Sequence, residues 1–323
     1  MKTLSLVTSV LLVLSALISC NALSLSISFP NPIKNYINEL KDQIRDNENY
    51  NNFQNIERDI IFNSGRTLDV YYDKENTSEL KPVFLFIFGG SWYSGSKVKF
   101  TKFGSLLEEN DYVAVLPNYV LFPKGGFEDM VDDIYQSIQW TYKNIEKYGG
   151  DPNRISISAY SAGSHLTALT IFKSLLGYPN KGEILEPLPM LEKVVLLNGP
   201  YDFDDYSIVR KFLGKETENS VVENIVKLVF QSKNVSPTDL FKPFADGSLE
   251  SLGAKKFTLF YTSLDETVVE SSALNLMKQM NRVSPNVDIS YVYKEGYEHT
   301  TVTRGVRAGS SEEEEVFINL ISL

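Results

Sequence analysis

Ser161 is the residue whose neighbours most clearly suggest a reactive side chain. It lies in the segment 158–163 (SAYSAG), which follows the strand-like run 154–157 and precedes the helix-compatible stretch 165–172. A serine held between a buried strand and a helix N-terminus occupies a tight turn that exposes its hydroxyl and directs backbone N–H groups toward the group it attacks. The residues two before and two after it are small, as a close passage of strand and helix requires. The same short pattern also occurs in ordinary turns, so the rest of the chain must decide.

Two histidines are available to take a proton from this serine, His165 and His299. His165 follows Ser161 by four residues on the same predicted helix. Its side chain would therefore point along the helix, and we interpret it as a packed or hydrogen-bonded structural residue. His299 lies in a loop after the last predicted strand, where the geometry of a parallel sheet would place a general base. The alternative for His299 is a solvated surface side chain.

Asp265 follows the predicted strand 256–261 and is our candidate for the acid. A carboxylate at the C-terminal end of a strand can hold the histidine tautomer and stabilise the imidazolium that forms in the reaction. Glu266 is the second candidate for this role. The chain order of the three groups, Ser161 then Asp265 then His299, is the serine–acid–histidine order of α/β-hydrolases and differs from the two other common orders.

The segment 88–95 (FGGSWYSG) supplies a glycine-rich loop after another predicted strand. Glycine lets the backbone approach a developing negative charge, and the loss of one backbone donor from an oxyanion hole typically raises the barrier by about 3 kcal/mol. We predict an oxyanion hole formed by the N–H groups of Ala162 and Gly90, with Gly89 or Ser91 contributing. A plain turn without a ligand is the alternative for this loop taken alone.

Strand-like and helix-like segments alternate along the chain. The apolar run 83–88 is typical of a strand buried on both faces of a parallel sheet. Further strands are predicted at 112–117, 154–158, 193–197, 256–261 and 287–293, a strand pair at 55–62 and 66–73, and helices at 33–44, at 127–148 and from 310 onward. This alternation predicts an α/β fold, a mostly parallel central sheet with helices on both faces. The segment 200–254, with helix-like residues 221–230, is long enough to form a small cap.

The N-terminus has the pattern of a secretory signal peptide over residues 1–22. Lys2 is followed by an apolar run at 4–18 and by small residues up to Ala22. An uncleaved anchor in an endoplasmic reticulum or Golgi membrane is the alternative, but the run is short for a span and lacks a stop-transfer flank. Cleavage would leave one α/β domain at 23–323 and would remove Cys20, the only cysteine, so that no disulfide or thiol nucleophile remains.

The composition excludes some partners and favours a location. The chain has 323 residues, of which 43% are hydrophobic, and a formal net charge of −10. This acidic balance argues against nucleic acid or an anionic membrane as a partner. We expect secretion or residence in an endomembrane lumen. The segment 76–78 (NTS) is a glycosylation sequon, and 234–236 (NVS) is a second one weakened by Pro237.

Five segments resemble the esterase/lipase branch of the α/β-hydrolases. They are 88–92 (FGGSW), 149–155 (GGDPNRI), 161–165 (SAGSH), 265–269 (DETVV) and 296–300 (GYEHT). Within that branch the chain is most similar to isoprenylcysteine α-carbonyl methylesterases and their carboxylesterase-like and kynurenine-formamidase-like relatives, over about residues 81–303. The resemblance implies a hydrolase without a cofactor or a metal that acts through an acyl-enzyme on Ser161. It also implies that His165 is a feature of the helix.

Three positions depart from the pattern of that family. Ala159 stands where most relatives have glycine, which adds a methyl group at the serine turn. Phe88 replaces a histidine before the glycine pair, so any hydrogen bond from that histidine that braces the loop is missing. Asn118 replaces an aspartate after a strand and puts a supporting ion pair in doubt. None of these changes removes the three catalytic groups.

The sequence therefore predicts a serine carboxylester hydrolase that acts on a small-molecule ester and has no stable membrane span after signal cleavage. A secreted chain fits poorly with a membrane-bound prenylcysteine as substrate. Aromatic residues near the motifs are candidates to line the pocket, with core packing as an equally weighted alternative: Trp92, Tyr160, Tyr93, Tyr119, Phe122 and Tyr201. Two other functions stay open, a formamidase or amidase with the same three residues and a non-catalytic binding protein on a hydrolase fold.

Overall fold

The computed structural model describes residues 31–203 and 232–323. The predicted signal peptide (1–22) and the helix-like residues 221–230 lie outside the described residues, and of the predicted cap (200–254) the structure describes the two ends. Every candidate site residue belongs to the compact unit Ile44–Leu323. Within the described ranges, none of the helices combines the length and the apolar character that a membrane crossing requires.

The described part of the chain contains an eight-stranded sheet and a two-stranded one. The strands are β1 (Ile56–Asn63), β2 (Arg66–Tyr71), β3 (Lys81–Ile87), β4 (Val113–Pro117), β5 (Gly150–Tyr160), β6 (Pro179–Asn180), β7 (Glu183–Ile184), β8 (Leu191–Leu197), β9 (Ala254–Leu264) and β10 (Asp288–Glu298). The order across the large sheet is β1-β2-β4-β3-β5-β8-β9-β10. Strand β2 pairs antiparallel with both of its neighbours, and the other pairs are parallel. The predicted mostly parallel sheet is confirmed.

Helices connect these strands and pack around the sheet. They are α1 (Asn31–Asn52), α2 (Thr101–Glu109), α3 (Phe127–Asn144), α4 (Ala162–Leu176), α5 (Pro237–Phe241), α6 (Ser271–Val283), α7 (Thr301–Ala308) and α8 (Ser311–Ser322). The long helix predicted at 127–148 is α3 followed by a 3₁₀ turn, Ile145–Tyr148. It stops at Gly149, whose φ of 74° is a left-handed conformation that glycine adopts without strain.

The interior explains why the central strands have continuous apolar runs. Strand β3 is buried from Val83 to Ile87, and β4 is buried over its whole length. A strand covered on both faces needs apolar side chains at every position, whereas a strand with one wet face alternates. The outer strand β1 alternates in burial along much of its length, as that rule requires.

The parallel strands bring distant parts of the sequence to one edge of the sheet. Strands β3, β5, β8, β9 and β10 run in the same direction, so their carboxyl ends lie at the same edge, where open α/β sheets bind ligands. The residues just beyond these ends are Gly89, Ser161, Asn198, Asp265 and His299. The fold therefore gathers the sequence motifs at one edge.

Candidate active site

Ser161 lies in the turn between β5 and α4 with a strained backbone. Its φ of 52° and ψ of −120° are unfavourable for a residue with a side chain. The Ser161 N–H donates to the Leu197 carbonyl at 2.8 Å, and the Ser161 carbonyl accepts the His165 N–H at 3.1 Å. A Cβ atom on Gly163 would lie 2.3 Å from the Ile87 carbonyl oxygen, so this position must be glycine. The turn thus holds the hydroxyl in a fixed place at the start of α4.

His299 bridges the serine and the carboxylate. Its Nε2 lies 3.0 Å from Ser161 Oγ, and its Nδ1 lies 2.6 Å from Asp265 Oδ2. Because a carboxylate accepts, Nδ1 carries the proton, and Nε2 is left to accept the serine hydroxyl. Both ring nitrogens are engaged, which leaves no ring nitrogen for Glu266, the second candidate for the acid. The three groups are arranged for a general base to activate a serine hydroxyl.

Asp265 is held by more hydrogen bonds than the one to His299. Its Oδ1 accepts the backbone N–H groups of Thr267 and Val268, each at 2.8 Å, and its Oδ2 also accepts the Asn198 side-chain amide at 2.8 Å. Burial raises the pKa of this carboxyl, but its hydrogen bonds and its electrostatic interaction with His299 outweigh burial and hold the pKa below its ordinary value. Asp265 is therefore a fixed anion with little freedom to rotate.

Asn198 is a site residue that sequence reasoning missed. It follows β8 with a φ of 47°, and its amide Nδ2 donates to Asp265 Oδ2 and to Thr262 Oγ1. Asparagine tolerates the left-handed conformation better than most residues. The signal in the sequence was its position directly after a predicted buried strand in the segment 198–200 (NGP), the same kind of position that singled out Asp265.

The glycine loop packs directly on the serine turn. A Cβ atom on Gly89 would lie 2.6 Å from the Tyr160 carbonyl oxygen and 2.8 Å from Ser161 Cβ. Gly90 has a φ of 147°, and its carbonyl accepts the N–H groups of Tyr93 and Ser94. This close approach brings the backbone of the loop next to the start of α4, where the first N–H groups have no partner within the helix. The loop that contains Gly89 and Gly90 thus lies against the turn that precedes Ala162, and the role of these three residues as donors remains a prediction.

Aromatic packing braces the loop where the sequence lacks a histidine. The Phe88 ring stacks on Tyr119 with a centroid distance of 4.5 Å and on Phe100 at 5.9 Å. The Tyr119 hydroxyl donates to the Phe88 carbonyl at 3.0 Å. The hydrogen bond whose absence the sequence suggested therefore has a substitute, which comes from the segment after β4.

Asn118 contributes a hydrogen bond in place of an ion pair. Its Oδ1 accepts the Lys97 N–H at 2.8 Å. The Lys97 ammonium group is buried and pairs with Asp69 at 2.5 Å and with Asp59 at 2.8 Å. The Lys97 ammonium group therefore anchors the segment after the glycine loop. The carboxylates that pair with it come from β1 and β2 and not from position 118. Ala159 is fully buried in β5, which accommodates its methyl group.

His165 is buried and hydrogen-bonded, as its helix position suggested. Its Nδ1 accepts the indole N–H of Trp92 at 3.1 Å, and its Nε2 donates to the Val235 carbonyl at 2.7 Å. The rings of Trp92, Phe127 and Phe203 pack around it with centroid distances of 5.2–5.5 Å. Burial lowers the pKa of His165 to about 4, so the ring carries no charge near neutral pH.

The aromatic candidates for the pocket are mostly packing residues. Trp92 is 3% exposed and Tyr160 is 7% exposed. The Tyr160 hydroxyl donates to the His299 carbonyl at 3.2 Å, and its ring lies 5.2 Å from the imidazole. Burial and these bonds favour support of His165 and His299 over contact with a substrate. Tyr119 and Tyr201 are also buried, whereas Tyr93 keeps 38% of its surface exposed.

Among the residues that the structure describes, no group of three or more histidine, cysteine or carboxylate side chains is placed to hold a metal ion. The chemistry that the arrangement offers is that of a serine hydroxyl, an imidazole and a carboxylate in line, beside a glycine-rich backbone. A nucleophile, its base and a group that orients the base form an arrangement that can carry out acyl transfer.

Solved structures share this fold. The structure of esterase B from Lactobacillus rhamnosis superposes with a TM-score of 0.66 and 15% identity, over 90% of this chain and 92% of that chain. The sheet order, the serine turn and this likeness define the class of protein as an α/β-hydrolase, which confirms the predicted fold. The family model BD-FAE matches residues 68–248, more than half of the chain. The chain belongs to the BD-FAE family.

Curated relatives agree with that assignment. A probable isoprenylcysteine alpha-carbonyl methylesterase of Arabidopsis thaliana is 29% identical over 66% of this chain and 51% of its own length. The arylacetamide deacetylase of Rattus norvegicus is 36% identical over 31% of this chain and 26% of its own length. The chain spans about half the length of the methylesterases that it matches. The predicted similarity to methylesterase-like proteins is thus confirmed.

Proposed function

We propose that this chain is a serine carboxylester hydrolase. The observation that carries the proposal is the pair of hydrogen bonds of His299, one to Ser161 Oγ and one to Asp265 Oδ2. A binding protein on this fold would not need a nucleophile, a base and an acid in hydrogen-bond contact. Similar proteins are named a methylesterase and a deacetylase, and both names describe hydrolysis of an acyl group.

The proposed reaction begins with proton transfer from Ser161 Oγ to His299 Nε2 as Oγ attacks the ester carbonyl carbon. The carbonyl oxygen gains negative charge and accepts hydrogen bonds from the N–H groups of Ala162 and Gly90. The His299 imidazolium, oriented by Asp265, then protonates the alkoxide oxygen, and the alcohol leaves. Water attacks the acyl-enzyme with His299 again as base, which releases the acid and restores Ser161.

Replacement of the nucleophile tests this function. We expect Ser161→Ala to reduce the rate of hydrolysis of short p-nitrophenyl esters nearly to the background rate, because the acyl-enzyme cannot form. A fluorophosphonate probe should label the wild type and leave the variant unlabelled. Ser158→Ala, which removes a buried hydroxyl three residues earlier on β5, is the matched control and should keep its label. Equal turnover by wild type and Ser161→Ala would show that the proposal is wrong.

Amide hydrolysis is a second candidate, because the relative with 36% identity over 31% of this chain is named a deacetylase of an acetamide. Both reactions would use the same three residues and differ in the leaving group. An amine must be protonated by His299 as it leaves, so an amidase makes a stricter demand on the imidazolium. A pair of substrates with one acyl group, presented as a p-nitrophenyl ester and as an anilide or formanilide, separates the two activities.

We propose in addition that the chain is exported through the secretory pathway and carries a glycan at Asn76. The support is the signal-peptide pattern at 1–22 and the position of Asn76 in the exposed stretch 74–80. The second sequon is less suitable, because Ser236 is buried, and its hydroxyl donates to the Tyr201 carbonyl and accepts the Asp239 N–H. Residence in a lumen or retention by an uncleaved anchor are the other outcomes of the same route.

A further inference from the structure

The oxyanion hole of the proposed mechanism has donors from two separate segments. Ala162 is the first residue of α4, and Gly90 lies in the loop after β3. A carbonyl oxygen receives both hydrogen bonds only if the distance between the two N–H groups is correct, since donors act at about 2.7–3.1 Å from the oxyanion. Some contact must therefore fix the loop relative to the helix.

One side-chain hydrogen bond joins these two segments near the hole. Trp92 follows Gly90 by two residues in the loop, and His165 follows Ala162 by three residues in α4. The Trp92 indole Nε1 donates to His165 Nδ1 at 3.1 Å, and His165 is 0% exposed. The backbone of Trp92 has a φ of 66° and that of Ser91 a φ of 51°. These left-handed conformations are costly for residues with side chains and persist only where the surroundings hold them.

The second nitrogen of His165 fixes which nitrogen accepts. Its Nε2 donates to the Val235 carbonyl at 2.7 Å, in the segment that leads into α5. A carbonyl accepts only, so Nε2 carries the proton, and Nδ1 of the neutral ring is free to accept the indole N–H. Protonation of Nδ1 would set two N–H groups against each other. The bond to Trp92 therefore depends on one tautomer of a neutral ring.

We propose that His165 is a positioning residue that, through its Nδ1 and the Trp92 indole, sets the spacing of the two halves of the oxyanion hole. The proposal rests on the serine hydrolase function proposed above. His165 touches neither the substrate nor Ser161 Oγ in this role. It holds the loop against the helix so that the Gly90 and Ala162 donors are in place before the negative charge forms.

The chain offers a matched pair of substitutions at this residue. In His165→Asn the carboxamide oxygen can occupy the place of Nδ1 and accept the Trp92 N–H. In His165→Gln the carboxamide nitrogen can occupy the place of Nε2 and donate to Val235, and the acceptor for Trp92 is lost. Each variant keeps one of the two hydrogen bonds. A merely structural role of His165 would make both variants similar in activity.

The experiment measures how well the oxyanion hole binds a negatively charged oxygen. We measure kcat, KM and the inhibition constant of a trifluoromethyl ketone, which forms a tetrahedral adduct with a charged oxygen. Removal of a whole donor lowers kcat by about 100- to 1,000-fold; a displaced donor should cost less. For His165→Gln we expect kcat to fall and the inhibition constant to rise, each by about ten- to 100-fold, with KM little changed. His165→Asn should stay within about threefold of the wild type.

Trp92→Phe tests the same bond from the other side. It should reproduce the losses of His165→Gln, and the double variant should be no worse than either single one, because both remove one interaction. Trp140→Phe is the control, since Trp140 is the only other tryptophan and its ring packs on Tyr148 at 6.0 Å. If His165→Gln does not fold, Trp92→Phe with His165 intact still gives the result.

The outcomes separate this inference from the function on which it rests. Suppose that the wild type is active and takes the fluorophosphonate label. Equal kinetics and equal ketone inhibition in His165→Gln and His165→Asn would then overturn the positioning role alone. A Trp92→Phe variant with the inhibition constant of the wild type would do the same. A wild type that neither hydrolyses esters nor takes the fluorophosphonate label would overturn both proposals.

Discussion

At the scale of single residues, the candidate site consists of three side chains in hydrogen-bond contact and of other side chains that hold them. Ser161, Asp265 and His299 stand out because a reactive group needs a particular residue type after a strand. Asn198 and Tyr160 act through hydrogen bonds whose partners lie far away in the sequence, such as Asn198 to Asp265 at 2.8 Å. Many residue types can support a loop, so local pattern carries little information about which ones do.

The two histidines show how burial divides one residue type into two roles. His299 is partly exposed and has a carboxylate partner, whereas His165 is enclosed by aromatic rings and has a carbonyl partner. The pKa of His165 falls to about 4 through burial. Position on the helix predicted a structural role for His165. The hydrogen bond from the Trp92 indole was not predictable, because Trp92 and His165 are 73 residues apart in the chain. The sequence suggested Trp92 as a candidate for the substrate pocket.

His165 should make the stability of the folded chain depend on pH. The unfolded ring takes a proton near its ordinary pKa of 6.5, and the folded ring takes one only near pH 4. The unfolded state therefore binds more protons between these values, so the free energy of unfolding falls as the pH falls from about 6.5 to about 4, by about 3 kcal/mol in total. His165→Asn, which cannot titrate, should lack this contribution.

Urea unfolding at several pH values between 4 and 7 measures the effect. The informative quantity is the difference in unfolding free energy between wild type and His165→Asn, because the carboxylates of the two proteins titrate alike. This difference should shrink toward acid pH. A difference that stays constant across the range would contradict a neutral, buried His165.

At the scale of elements, the existence of strands and helices was predictable, and their ends were not. Strand β5 was predicted from residue 154 but starts at Gly150. Residues 151–153 form an irregularity within the strand, where the pairing of β3 with β5 shifts between Lys81 and Val83. The Asp151 carboxylate accepts the Asn153 N–H, as turn residues do. The pairing of Gly150 with Lys81 of β3 extends the strand beyond this turn, and such long-range pairing cannot be predicted from local sequence.

A buried ion pair ties α1 to α7, the helix that follows His299. Arg307 Nη2 lies 2.5 Å from Asp46 Oδ2, and Arg307 Nε donates to the Lys99 carbonyl. Loss of one partner leaves the other charge buried, so we expect Asp46→Asn to lower the free energy of unfolding by about 3–5 kcal/mol. Asp46→Leu combined with Arg307→Met, which removes both charges, should recover most of that loss.

Guanidinium unfolding of these two variants and the wild type tests the pair. Lys102→Met is a control at a partly exposed group of ion pairs with Glu109 and Glu314, which should change the stability by less than about 1 kcal/mol. If Asp46→Asn behaves like this surface variant, the charge of Asp46 does not matter for the packing of α7.

At the scale of the whole molecule, the fold class followed from the alternation of segments and from the order of the motifs. The strand order across the sheet and the single reversed strand did not follow, since periodicity says which face is buried and not which strands are neighbours. The edge that carries the site could be predicted, because carboxyl ends of parallel strands meet there. Segment 200–254 was predicted as a cap, and this remains a prediction.

Export is the whole-molecule property that an experiment can test most directly. Expression of the full chain in a eukaryotic secretory host should yield a protein whose N-terminus lies near residue 23 and whose mass falls on treatment with an endoglycosidase. Asn76→Gln should abolish the mass shift, whereas Asn234→Gln should keep it, because Ser236 is buried in its sequon. An intact residue 1 in the collected protein would point to an anchor, and an unshifted mass would argue against a lumenal route.

The position of His299 directly after β10 has a consequence for how the molecule matures. Strand β10 lies at the end of the sheet and pairs with β9 alone. In a chain whose β10 has not yet docked, Ser161 and Asp265 can be in place, but His299 is not yet between them. Under the proposed function, ester hydrolysis cannot begin before β10 is in place, so recovery of turnover during refolding would report the docking of this one strand.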